Sequence, residues 1–442
     1  MRLTLSHTNH NGNGRSWLAK VQTLSILYVS VFLTRIGFGI ILIIFPIYLL
    51  GANGIPIAKT TPALSGIVLA LYPALEGLTA LPVGAWIDRH GRRKAFVAGM
   101  ASISALTLAI SLTQTNILFV GGAHAAMGLS AALVTISSLT MITDLTVVRN
   151  RGTGMGAFDM ANLVGYGVGV LSGTIMERMF AGSLGTVFQI VAAIFAIATV
   201  FTYLVLREPP HSSVEKRSLA EMFATLTGDV AAIIPVWFSL TIIVGFYFLL
   251  PAIVKNLAQE TTLERSAGLI LLGLVVLGAG ALLFGRLSDK IGRTKTMTIG
   301  VVGELGFLLL FPELLQRLLL VPQGQSFVSS LRTVGLFGVV AGSFFFLGSA
   351  LVPSILAYIG DRASQDLRGS SMGLYSLMLS AGIAIGNVVA GIAFQEGGVQ
   401  AVFYLGAVIL SGMSLTSGLL IRRLNHVGPT TTPLGKTESK PL

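Results

Sequence analysis

The sequence predicts an all-α membrane protein, twelve transmembrane helices in two six-helix bundles. Three observations carry this: long apolar stretches with little charge, basic residues biased to alternate loops, and an internal repeat matching the two halves. Of the 442 residues, 53% are hydrophobic and 11% charged, under half the roughly 25% charge usual in soluble domains. Mean hydropathy is +0.82. The little charge present cannot cover a water-facing surface. It gathers in short clusters between apolar stretches of roughly 20 residues, the length that crosses a bilayer core as helix. The short alternating segments of a β-barrel are missing. The 52 glycines suit helices that approach closely in lipid.

The predicted spans are 22–50, 62–87, 95–114, 117–143, 153–176 and 184–206, then 230–252, 266–287, 296–315, 333–359, 370–394 and 399–421. Residues 1–21 are polar and basic, lack a cleavable apolar core, and are expected to form a cytoplasmic tail. The charged segment 207–229 separates six spans from six as a central cytoplasmic loop, and 422–442 forms the C-terminal tail. With the N-terminus inside, the cytoplasmic segments hold 22 Lys and Arg, the external ones 6, and Arg35 lies within a span. That asymmetry places both termini in the cytoplasm of a cell-membrane protein. It also accounts for the net charge of +11 without a nucleic-acid partner. There are no cysteines, so disulfides and thiolate metal sites are excluded.

The halves repeat at residue level. Between the second and third spans stand Gly84, Asp88, Arg89, Gly91, Arg92, Arg93 and Lys94. Between the eighth and ninth, 201 residues on, stand Gly285, Asp289, Lys290, Gly292, Arg293 and Lys295. Asp144 precedes Arg151 by seven residues after the fourth span, and Asp361 precedes Arg368 by seven after the tenth. Gly165 and Gly169 then match Gly382 and Gly386, and Gly173 extends the first stripe.

The Gly84–Lys94 stretch resembles the signature loop of the major facilitator superfamily, and the resemblance covers the chain beyond its N-terminal tail. It implies two bundles related by an axis along the membrane normal, around a central cavity. The first, fourth, seventh and tenth helices would line that cavity, and the ninth would be peripheral. Thr34-Arg35-Ile36-Gly37-Phe38-Gly39-Ile40-Ile41, followed by Pro46 and Tyr48, is similar to the first helix of drug:proton antiporters. Thr34 stands where several of these carry an acid. Their fifth-helix pattern includes a proline, which Gly165–Gly173 lacks.

If the second helix continues into the loop, Asp88 and Arg92 share a face and can pair, with Asp144 completing a charge cluster. Such contacts would hold the cytoplasmic side closed. Asp289, Arg293 and Asp361 offer the same set in the other half. The alternative is that these charges only fix topology. The glycine stripe has two readings, close helix packing or a part in coupling.

Ionisable groups inside spans are site candidates because a bilayer makes them costly. Glu76 and Arg35 lie at matched depth, roughly 16 Å from the cytoplasmic face at 1.5 Å per residue, and are expected to pair. The pair serves function or structure; its counterpart Leu277 and the uncharged seventh span favour function. Asp159, with Asn162 on its face, either faces the cavity or joins the cytoplasmic cluster. His124 is either hydrogen-bonded or a proton relay. Glu304, on a helix the resemblance makes peripheral, either pairs with a neighbouring helix or contacts substrate, the first being favoured.

No phosphate-binding loop, metal-ligand spacing or catalytic triad occurs, so an enzyme is not expected, and no cofactor. The resemblance implies a secondary transporter working by alternating access. The favoured form is proton-coupled export of a lipophilic or amphipathic small molecule, with Glu76 carrying the proton. Ion-coupled uptake of a small, possibly anionic, solute is the alternative, and a membrane sensor or enzyme a more distant one. The partners expected are a substrate, a coupling ion and the lipid bilayer, and the chain is expected to be a monomer.

Overall fold

A computed structural model describes residues 10–50, 60–113, 116–146, 151–180, 182–208, 228–258, 263–319, 327–362 and 368–427. The first six helices are α1 (His10–Leu50), α2 (Pro62–His90), α3 (Arg92–Leu112), α4 (Ile117–Leu145), α5 (Arg151–Met179) and α6 (Leu184–Val205). A single turn at Gly228–Ala231 leads into α7 (Ile234–Ala258), followed by α8 (Leu263–Ile291) and α9 (Arg293–Leu319). The tenth span is broken into α10 (Phe327–Gly348) and α11 (Leu351–Arg362). The last two spans form α12 (Arg368–Val427), interrupted by non-helical backbone at Gly397 and Gly398.

Every described element is helical. Among the described residues ten segments are long and apolar enough to cross a membrane, and the last, 48 residues long, contains the interruption at Gly397–Gly398 and is long enough for two spans. With α5, 29 residues long, they accommodate the twelve predicted spans. Several helices outrun their predicted spans. α1 begins at His10, inside the stretch expected to be a polar tail, because extending an existing helix costs far less than starting one.

Local chemistry sets the boundaries. Thr61 caps α2, accepting from the Leu64 amide at 3.2 Å, with Pro62 in the first turn where its missing N–H costs nothing. Asn116 caps α4, accepting from the amides of Leu118 and Phe119 at 3.0 and 3.2 Å. Gly91 (φ 97°) and Gly292 (φ 98°) form the whole connection at each signature loop, in a backbone region that disfavours a side chain.

In the first half α1 packs on α5 and α6, α2 on α4, and α3 on α4 and α6. In the second, α7 packs on α12, and α9 on α10, α11 and α12. A Cβ at Gly169 would lie 2.7 Å from the Cα of Gly39, and one at Gly386 would lie 3.0 Å from the Cα of Gly245. The α1–α5 and α7–α12 crossings therefore use the same device. The halves meet through α2–α12, α1–α7 and α5–α8. At one end α2 and α12 nearly touch: a Cβ at Gly66 would lie 3.1 Å from the Cα of Gly391. Further along, a Cβ at Gly77 would lie 2.9 Å from Ser380 Cβ.

Candidate functional site

Two polar clusters occupy the first half. The inner one gathers side chains from four helices in otherwise apolar surroundings. Arg35 of α1 donates from Nε to Asn162 Oδ1 of α5 at 2.6 Å and from Nη1 to the Tyr166 hydroxyl at 3.3 Å. Asn162 is steadied by its own bond from Nδ2 to the Phe158 carbonyl at 2.8 Å. The guanidinium carbon lies 5.4 Å from the ring centroids of Phe38 and Tyr166, within cation–π range. Gly165 fixes this geometry, because a Cβ there would sit 2.7 Å from Arg35 Cβ.

Glu76 of α2 accepts from Thr135 Oγ1 of α4 at 3.3 Å and keeps some accessible surface. The direct Arg35–Glu76 pair expected from matched depth is not formed. The two charges are within electrostatic range, but close α1–α5 packing turns the guanidinium towards Asn162 and Tyr166. His124 is buried and stacked on Phe45 at 4.2 Å between ring centroids, with Tyr72 at 5.4 Å. Tyr166 and Thr135 escaped the sequence reading. Tyr166 had a signal, four residues after Asn162 on the same helical face.

The outer cluster lies at the first signature loop. Arg92 Nε approaches Asp144 Oδ2 of α4 to 2.6 Å, an angled ion pair with both side chains almost fully buried. The Glu208 carboxylate, just beyond α6, accepts from the amides of Arg92 at 2.7 Å and Arg93 at 3.0 Å. Those amides open α3, where a negative charge is favoured. Arg93 donates to the Tyr203 carbonyl and lies 5.2 Å from the Tyr203 ring centroid. Glu208 and Tyr203 were not singled out in the sequence.

Asp88 and Arg92 are not on one continuous helix, because Gly91 separates α2 from α3. The side chains of Asp88, Arg89, Arg151, Asp159, Asp361 and Arg368 lie outside the described ones. In the second half Arg293 Nη1 binds Asp289 Oδ1 at 2.5 Å and Ser288 Oγ at 3.0 Å, and Lys290 is exposed. Glu304 is buried beside Tyr247 of α7, whose hydroxyl donates at 3.4 Å. The glycine stripes serve packing: Gly165, Gly169 and Gly173 against α1, and Gly382 and Gly386 against α7. Among the described residues no group of His, Asp or Glu could hold a metal ion.

Comparison with known proteins places this geometry. Multidrug resistance protein 2 of Bacillus subtilis is 24% identical over 405 residues, covering 88% of this chain and 93% of that protein. The class E tetracycline resistance protein of Escherichia coli is 24% identical, covering 94% and 98%. A bacterial homolog of the human lysosomal transporter Spinster, solved in an inward-facing, occupied conformation, superposes with a TM-score of 0.71. It is 15% identical and covers 92% of this chain and 97% of that one. The model of the Major Facilitator Superfamily matches residues 27–345 and 245–441. The chain belongs to the major facilitator superfamily and is a multi-pass membrane transporter of small molecules.

Proposed function

We propose that this transporter exports a lipophilic or amphipathic small molecule in exchange for protons, with Glu76 as the proton carrier and Arg35 as the charge that tunes it. The observation that carries this is the setting of Glu76. It is an acid deep within a span, it has one hydroxyl partner, and its cationic neighbour is engaged elsewhere. A carrier must take up and release its proton within one cycle, which a contact ion pair would oppose. Relatives whose names describe multidrug and tetracycline resistance support export.

Both termini are taken to be cytoplasmic, with six-helix units at 22–206 and 230–421. The signature-loop end is then the cytoplasmic one, where Asp88, Arg89, Arg92, Asp144, Arg151 and their repeats Asp289, Lys290, Arg293, Asp361 and Arg368 act in gating. Asp159 and His124 are secondary candidates for proton transfer.

The test is transport in proteoliposomes with an imposed pH gradient. Glu76→Gln should abolish net transport driven by the gradient while substrate exchange survives. Adding Arg35→Gln should leave coupling abolished. Gradient-driven transport at the parent rate in the double variant would reject Glu76 as carrier. One observation favours uptake of an anion: the partners of Arg35 are neutral, leaving its charge free for a carboxylate or phosphate. In that case Arg35→Gln alone should abolish substrate binding.

A further inference from the structure

The second half holds a buried acid that the scheme above does not use. Glu304 lies in the middle of α9 and is 6% exposed. On one side the Tyr247 hydroxyl donates to its Oε1 at 3.4 Å. On the other, Oε2 abuts the end of α10, where a Cβ at Gly348 would lie 2.7 Å away. α10 stops at Gly348 and α11 starts at Leu351, so the carboxyl rests on the break in the tenth span.

Among the described residues no cation makes an ion pair with Glu304. Along α9, Lys295 and Glu313 are nine residues away on either side, about 13 Å along the axis, and Glu313 is paired with Arg317. Tyr247 is the titratable group that faces the acid. The described charged side chains of the helices packed around it lie near their ends: Arg332 and Glu396 towards one end, Arg286, Asp289, Lys290, Arg422 and Arg423 towards the signature-loop end. The fold itself does not demand an acid here. The repeat places Ile103 at the matching position of the first half, fully buried in apolar packing. An ionised carboxylate enclosed this way needs a cation or several donors, and Glu304 has one hydroxyl.

We propose that Glu304 is a second proton-binding site, loaded in the conformation seen here, whose occupancy sets the geometry of the break between α10 and α11. Loading adds one proton to a carboxylate oxygen, unloading returns it to water, and no other bond changes. The protonated acid sits neutrally against Gly348. The ionised acid requires water or donors, and the break between α10 and α11 is the place in contact with it that can open to admit them.

The test uses the purified full-length protein in phosphatidylcholine nanodiscs, without substrate or gradient. In the infrared difference between the parent and Glu304→Gln, which cancels the lipid esters and Glu76, the C=O band of a protonated carboxyl should be present at low pH and fade as the pH rises. Tyr247→Phe should keep the band but move the pH at which it fades. Spin labels at Val339 and Val352, exposed on either side of the break, should change separation with pH in the parent and hold the low-pH distance in Glu304→Gln. If Glu304→Gln does not fold, Glu304→Asp replaces it, and the band should shift in frequency. An unchanged band in these variants, or label distances that track pH equally in parent and Glu304→Gln, overturns the proposal. Because neither readout involves transport, failure here leaves the Glu76 scheme standing, and failure of that scheme leaves this one standing.

Discussion

The two signature loops carry nearly the same residues and share the same glycine backbone, yet the contacts described around them differ. In the first half Arg92 is buried and pairs across helices with Asp144, while Glu208 closes over the start of α3. α3 is thereby tied to α4 and to the end of α6. In the second half Arg293 pairs with Asp289 four residues back, on a carboxylate side chain that is 66% exposed. Among the described residues, the first loop shows a pair between helices and the second a pair four residues apart in sequence, with the Asp361 side chain outside those described. The magnitudes differ accordingly. Removing one member of a buried pair strands a charge at a cost of about 3–5 kcal/mol, whereas an exposed pair four residues apart contributes about 0.3–0.5 kcal/mol.

Asp144→Leu should therefore give the largest effect, a loss of about 3–5 kcal/mol in unfolding of the detergent-solubilised protein. Adding Arg92→Met should restore most of it. Asp289→Leu should cost no more than about 0.5 kcal/mol; a cost equal to that of Asp144→Leu would show the two loops to be equivalent after all. The next effect tests where the halves agree. Gly169→Ala and Gly386→Ala each push a methyl into a facing backbone and should cost about 1–3 kcal/mol apiece. Tolerance of one and not the other would break the α1–α5 and α7–α12 equivalence. Smaller again is Glu208→Gln, which keeps the shape but removes the charge at an exposed helix start, for about 1 kcal/mol or less. That loss should shrink as salt is raised, and a salt-independent loss would mean that Glu208 acts by packing instead.

Most of the fold could be read in the chain because bilayer-length apolar runs and a residue-level repeat are one-dimensional signals. Gly91 and Gly292 match in sequence and again in φ. The sites were legible only in their charged members. Arg35 and Glu76 announce themselves by being charged inside spans. That Arg35 turns to Asn162 and Tyr166 depends on how closely α5 lies on α1, which the Gly165–Gly173 stripe implies but does not aim. Glu208 stood in a charged linker with no mark of its return to α3, since that contact depends on where α6 ends in space. The Asp88 side chain lies outside the described ones, and the matching Asp289–Arg293 pair forms across Gly292, whose φ of 98° is close to the 97° of Gly91.

The interruption at Gly397–Gly398 has a consequence for how the protein is made. Two non-helical residues are too few to form a soluble loop, so the last two spans leave the insertion machinery as one hairpin, with Gln395, Glu396 and Gln400 crossing at its tip. A chain truncated after Phe394 would have to place its eleventh span without the partner that normally enters with it. Nascent chains ending at Phe394 are therefore expected to resist alkaline extraction from membranes less well than chains ending at Val427.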